Sequence, residues 1–218
     1  MPDRYFKVHP WWLDETVYII AGGPSVKNVD LSLLKGRKIM TVNNAYSLVK
    51  PDVIFFADGR WWKWHKDNIA LDFPGRIIST QKVAAHLADP RVCRMGRDYR
   101  FTQGGPALSL DQTLLAGPDS GYMAINLAVL MGVSRIVLIG YDMGFTEGQA
   151  HWHEDHPIKT NESDYLNIFA PKYPALIEAV KKHGVEVYRV TPSRLDFIPQ
   201  VTLEETFQMP KRQRSRVS

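Results

Sequence analysis

Six short runs rich in apolar and β-branched residues constrain the fold more than anything else in this 218-residue chain. They are TVYIIA (16–21), KIMTVN (38–43), DVIFFA (52–57), RIISTQ (76–81), RIVLIG (135–140) and VEVYRV (185–190). Most are continuously hydrophobic rather than alternating, which is the pattern of strands covered on both faces. Helical patterns lie between them. SGYMAINLAVLM carries a broad apolar face, with Ser120 as its expected cap and Gly132 as its stop. PALIEAVKKH starts on Pro174, buries Leu176, Ile177 and Val180, places Lys181 and Lys182 in its last turn and ends at Gly184. Strands alternating with helices predict an α/β fold: a single Rossmann-like domain whose mostly parallel sheet has helices on both faces.

The domain is expected over residues 14–200, after an N-terminal extension (1–13). Weaker patterning over 84–118 reads as an insertion or lid, and 201–218 as a disordered basic tail. Charge supports that division. The last eight residues, KRQRSRVS, hold Lys211, Arg212, Arg214 and Arg216 and no acid. Without those four, the 27 basic residues fall to 23, equal to the 23 acidic ones, so the net charge of +4 belongs to the tail. Cationic tails bind phosphate electrostatically, so nucleic acid is a conceivable but not favoured partner. No apolar stretch reaches the length of a membrane span, the N-terminus is not a secretory signal, and a lone cysteine, Cys93, fits a reducing compartment. The expectation is a soluble cytoplasmic protein, with homo-oligomerisation left open.

In an open parallel sheet the ligand lies beyond the carboxyl ends of the strands. That rule selects Gly22, Gly23 and Ser25 in AGGPS, the pair Asn43 and Asn44, Asp58, the helix start Ser120–Gly121, and Asp142. Paired glycines let a ligand approach the backbone, but AGGPS is not a dinucleotide fingerprint and Pro24 lacks an N–H. Asparagines offer donors and acceptors to a sugar or base edge, and otherwise serve as turn residues. Asp58 reads as a ligand for a hydroxyl or as the cap of GRWWKWHKD. Ser120 and Gly121 open a helix whose free N–H groups suit a phosphate. Trp61, Trp62 and Trp64 either stack on a ligand or pack beneath a loop.

HWHEDHP (151–157) is the densest chemistry in the chain. Its H-x-H-x-D-H spacing fits a dinuclear zinc hydrolase, but the downstream ligands of such a site are missing. A mononuclear metal site would draw on His151, His153, Asp155, His156 or Asp142, holding Mg, Mn or Zn. A general base is the stronger reading, because a histidine titrates near neutral pH. A solvated loop anchored by Trp152 is the plain alternative.

VYIIAGGPSVKNVDLSLLKG, TVNNAY, DVIFFAD and SGYMAINLAVLMGVSRIVLIGYDM, taken in order, resemble the 6-hydroxymethylpterin diphosphokinase MptE-like proteins and the related bacterial lipooligosaccharide sialyltransferases. Phage-encoded members carry a similar histidine-rich loop after the GYDM strand. The resemblance covers roughly residues 16–192. It implies a transferase using an activated nucleotide, with a nucleotide or nucleotide-sugar donor and a small-molecule or glycan acceptor. It also implies donor contacts at the glycine turn, Asn43, Ser120 and Gly121, and a base among His151, His153 and His156. The sequence departs from the sialyltransferase pattern at Gly22, Asp58 and Gly144, so the donor is open. His153 is the first choice for the base, with His151 and His156 behind it and Asp142 orienting base or substrate. The alternatives are an ATP-dependent diphosphotransferase, a non-catalytic nucleotide-binding phage protein and a metal-dependent hydrolase.

Overall fold

The computed structural model describes residues 5–80, 89–145, 148–153 and 161–214. A seven-stranded sheet forms its centre: β1 (Thr16–Ile20), β2 (Lys38–Val42), β3 (Val53–Phe56), β4 (Arg76–Ser79), β5 (Val92–Arg94), β8 (Arg135–Ile139) and β9 (Glu186–Arg189). A small two-stranded sheet pairs β6 (Gly96–Arg97) with β7 (Leu114–Leu115). The main sheet runs β5-β4-β3-β2-β1-β8-β9, and every neighbouring pair is parallel. All six expected strands are present.

Alternate side chains of each strand feed separate cores, as the pleat requires. Val17, Ile19, Met40, Val42, Phe55, Ile136 and Leu138 join the larger cluster, together with α2 (Ser120–Leu130) and α3 (Tyr173–Lys182). Tyr18, Ile20, Ile39, Val137 and Ile139 face the other way. Each such side chain, fully buried, contributes about 1.5–3 kcal/mol relative to exposure. α2 is buried on every side over Tyr122–Leu130, so it is apolar all round rather than striped. Its single polar interior residue, Asn126, accepts from the backbone N–H groups of Ser109 (3.0 Å) and Ala116 (2.9 Å) and donates to the Ser109 carbonyl (2.8 Å).

The second face is covered by shorter pieces. Residues Pro24–Asn28, Leu31–Leu34 and Asn43–Ser47 form 3₁₀ turns, and α1 (Gly59–His65) packs Trp61 and Trp62 over Ile54, Phe56 and Ile77. α4 (Leu203–Gln208) lies against β1, where Thr206 and Tyr18 hydroxyls meet at 3.0 Å.

Three expectations change. Of the span 84–118, Val92–Arg94 belongs to the sheet as its edge strand, and Asn126 and Tyr122, whose hydroxyl donates to the Ala107 carbonyl (2.7 Å), hold the following loops to α2. The start of the expected disordered tail is α4, opened by a capping box between Thr202 and Glu205. Beyond it Arg212 pairs with Glu186 (2.6 Å). Arg214 bonds Asp14 through its own N–H (2.7 Å) and the carbonyls of His183 and Val129 through its guanidinium (both 2.9 Å). These carbonyls end α3 and α2, where a cation is favoured. Finally, the cap of α2 is Asp119, not Ser120: its carboxylate accepts from the Tyr122 N–H (2.9 Å), and Ser120 is the first helical residue.

Candidate functional site

β1 is flanked by β2 on one side and β8 on the other, so the chain leaves the sheet in opposite directions on either side of it. Crevices in parallel sheets open at such a switch point, outside the carboxyl ends of the strands. One does here. It is lined by Gly22 and Gly23 after β1, Asn43 after β2, Asp119, Ser120 and Gly121 at the start of α2, and Tyr141 to Gly144 after β8, with His151 from the loop beyond. Seven of the residues marked in the sequence thus meet in one cleft: Gly22, Gly23, Asn43, Ser120, Gly121, Asp142 and His151.

The floor is a glycine turn clasped by an aspartate. Gly23 N–H donates to the Gly140 carbonyl at 2.8 Å. Asp142 is buried, accepts from the Ser25 N–H at 3.0 Å and takes a second, short bond from the Ser25 hydroxyl. A Cβ on Gly23 would lie 2.2 Å from the Asp142 carboxylate and 2.5 Å from the Gly140 carbonyl. Glycine is therefore required by close approach, and Ser25 sits behind the floor as the partner of Asp142. Asp142 is thereby engaged in holding the turn. The loop is pinned to the same turn, because the Trp152 N–H donates to the Gly22 carbonyl at 3.0 Å.

Asn43 is held in the left-handed region, at φ +51°, which asparagine tolerates better than most residues. Its Oδ1 is buried and has no hydrogen-bond partner among the described residues. Such an acceptor costs about 1–3 kcal/mol to leave unsatisfied. Asn44 points elsewhere. Its Oδ1 accepts from the Trp61 indole (2.6 Å) and its Nδ2 meets His153 Nδ1 (3.3 Å). His153 stacks on His151 with ring centres 5.5 Å apart, 13° from parallel, so His151 faces the cleft with His153 behind it.

At the α2 end, three tyrosines enclose the Asp119 carboxyl. The Tyr173 hydroxyl donates to it at 3.0 Å, and the Tyr141 hydroxyl donates to the Gly121 carbonyl at 3.1 Å. Asp119 is partly accessible as a residue, but its Oδ2 is buried without a hydrogen-bond partner among the described residues. That burial pushes its pKa above the ordinary carboxylate value, outweighing the bonds from Tyr122, Tyr173 and Gly121. Burial likewise pushes Tyr141 and Tyr173 up, with the Asp119 charge adding to it.

Asp58 does not line the cleft. It caps α1 through the Arg60 N–H (2.9 Å) and pairs with the Arg60 guanidinium (2.6 Å). Trp61 and Trp62 are buried packing residues, whereas Trp64 is exposed. Asp155 and His156 lie outside the described residues. Among the described residues, no group of three His, Cys, Asp or Glu side chains is placed to hold a metal ion, and no helix is long and apolar enough to cross a membrane.

Sequence reasoning passed over Tyr165 and Phe169, which line the cleft from a π-helical turn, Tyr165–Phe169, just before α3. Their i, i+4 aromatic spacing was the available signal, and π-turns cluster at functional sites.

No protein-family model matches the chain, and no curated protein sequence matches it. Solved structures do. The MAf glycosyltransferase from Magnetospirillum magneticum AMB-1 superposes with a TM-score of 0.65 at 14% identity, over 97% of this chain and 37% of the other. The chain thus spans little more than a third of that protein's length. The sialyltransferase CstII from Campylobacter jejuni, in complex with cytidine-5'-monophosphate, gives 0.55 at 18% identity, over 85% of this chain and 84% of the other. Its complex with CMP-3FNeuAc gives 0.54 at 17% identity, over 86% of each chain. At these identities the likeness is one of architecture: the chain has the α/β, Rossmann-like fold of these glycosyltransferases.

Proposed function

We propose that the protein is a nucleotide-dependent transferase of the glycosyltransferase kind, taking a nucleotide-sugar donor and a hydroxyl acceptor. The observation that carries this reading is the buried, unsatisfied Oδ1 of Asn43, a residue that lines a cleft at the switch point of the sheet. It is an acceptor built in advance for a donor group such as the exocyclic amine or ribose hydroxyl of a nucleotide. Across the cleft, the positive end of the α2 dipole suits a phosphate. Two solved neighbours of the same architecture are described as complexes with cytidine-5'-monophosphate and CMP-3FNeuAc.

The charge of the cleft favours a donor with one phosphate. Among the described residues no lysine or arginine lines it, while two aspartates do. A triphosphate would place about four negative charges there without a cationic partner. A sugar nucleoside monophosphate carries a single phosphate charge, which a helix terminus can hold. In the reaction, a loop histidine takes the acceptor proton as the acceptor oxygen bonds to the anomeric carbon. The bond from that carbon to the phosphate oxygen breaks, and the nucleoside monophosphate leaves toward the α2 terminus.

A thermal-shift panel of CMP, CDP, UDP, GDP, ATP and their sugar conjugates, with and without divalent metal, tests the reading. At a hundredfold excess over Kd, a bound nucleotide stabilises the protein by about 2.7 kcal/mol. For a chain of this size that raises Tm by about 5–10 °C. CMP or a CMP-sugar should give the largest shift, and no shift with any nucleotide would overturn the proposal.

A further inference from the structure

Three side chains behind the cleft, those of Trp61, Asn44 and His153, form a chain of hydrogen bonds whose polarity can be worked out from donor chemistry. An indole N–H only donates. The Asn44 atom 2.6 Å from Trp61 Nε1 is therefore the carbonyl oxygen, because an amide nitrogen there would oppose two donors. The Asn44 amide nitrogen is then the atom 3.3 Å from His153 Nδ1. That nitrogen has only hydrogens to offer, so His153 Nδ1 must accept. A neutral histidine that accepts at Nδ1 carries its proton on Nε2. Protonating Nδ1 as well would set two donors against each other.

The indole that starts this chain is held firmly. Trp61 is buried, packs against Phe56 with ring centres 4.9 Å apart and stacks on His65 at 4.9 Å. His65 Nδ1 in turn meets the Tyr46 hydroxyl at 3.3 Å. The other end of the chain is the parallel stack of His153 on His151, and only His151 reaches the cleft.

We propose that Asn44, oriented by Trp61, holds His153 neutral with its proton on Nε2, and that His153 is the uncharged platform for His151, the ring that takes the acceptor proton. The reason is electrostatic. A cationic His153 at 5.5 Å would disfavour a second positive charge on His151. An amide donor at Nδ1 removes that competitor. Asn44, Trp61 and His153 are positioning residues on this account, and His151 is the catalytic one. The inference rests on the transferase reading for the meaning of the proton, but not for the tautomer.

The test is two-bond ¹H–¹⁵N correlation of the imidazoles in the ¹⁵N-histidine-labelled chain, above the pH at which they titrate, with His153 assigned by its loss in His153→Gln. The unsubstituted protein should show His153 protonated on Nε2. In Asn44→Asp the carboxylate can accept but not donate, so the proton should move to Nδ1. In Trp61→Phe the amide is free to rotate, and a mixture of the two forms should appear, which keeps the test decisive if Asn44→Asp does not fold. His153→Phe keeps a ring beneath His151 and should leave the His151 signals near their original positions, whereas His153→Ala should displace them. A proton on Nδ1 in the unsubstituted protein, no change in either Asn44→Asp or Trp61→Phe, or equal displacement by Phe and Ala would overturn the inference. None of these measurements needs a substrate. Failure of every nucleotide to bind would remove the transferase reading and leave the imidazole assignments standing.

Discussion

At the scale of single residues, the cleft places function and stability in opposition. Asn43 holds a left-handed backbone and a buried acceptor with no partner. Glycine takes that backbone without strain and removes the acceptor. Asn43→Gly is therefore expected to leave the free protein as stable as before, or more so by up to about 1 kcal/mol. It should weaken nucleotide binding about tenfold or more. Urea denaturation of the free protein and titration with CMP measure the two effects. Asp119 makes the same point through pH. Its raised pKa means that folding favours the neutral carboxyl. Its contribution to stability is fully present below the unfolded carboxylate pKa and is lost as pH rises through the folded value. Asp119→Asn keeps the bond from the Tyr122 N–H and removes the charge, so it should raise stability at neutral pH. It should also flatten the fall in stability with rising pH, read as denaturation midpoints from pH 4 to 8. An unchanged slope would show that Asp119 is not the group responsible.

At the scale of elements, Asn126 is the junction between a helix and the loops beside it. It makes three bonds inside the most deeply buried helix of the described residues. Asn126→Leu would strand the N–H groups of Ser109 and Ala116 and the Ser109 carbonyl. The expected loss is about 2–4 kcal/mol by chemical denaturation, with protease sensitivity appearing first in 104–118. This junction also explains which elements could be read in the sequence. Six strands were legible because a strand covered on both faces needs an unbroken apolar run. Val92–Arg94 was not, because an edge strand of three half-buried residues has no such run. Ser120 looked like a cap since serine favours that position, but Asp119, as good a capping residue and one position earlier, takes it and accepts from the Tyr122 N–H. The glycine turn, Asn43 and the start of α2 were legible from the edge rule for parallel sheets. Asn44 was grouped with Asn43 because adjacent residues look alike in sequence. A 3₁₀ turn beginning at Asn43 sends their side chains to different neighbours.

At the scale of the whole molecule, the charge asymmetry of the sequence has a structural explanation. Arg212 and Arg214 are not spent on solvent: they fasten the segment after α4 to Glu186, Asp14 and the ends of two helices. The cleft lies at the opposite edge of the sheet, where the carboxyl ends of the strands gather. The cleft at one edge and the clasp at the other are thus built on the same sheet.

The Arg214 fastening also sets an order of events in time. Its bond to Asp14 joins residues 200 positions apart, and the carbonyls it reaches exist as targets only once α2 and α3 have packed. Contacts of such separation form late, after the sheet has assembled, because closing so large a loop is entropically costly. An interaction absent from the transition state slows unfolding without hastening folding. Arg214→Met keeps the main-chain bond to Asp14 and removes the guanidinium bonds to the Val129 and His183 carbonyls, together worth about 1–2 kcal/mol; it should therefore speed unfolding about 5- to 30-fold and leave the refolding rate unchanged in stopped-flow experiments. A slower refolding limb would instead place this clasp in the nucleus. The last arginine described in the chain then acts as a latch: it contributes little to finding the fold and much to how long the fold lasts.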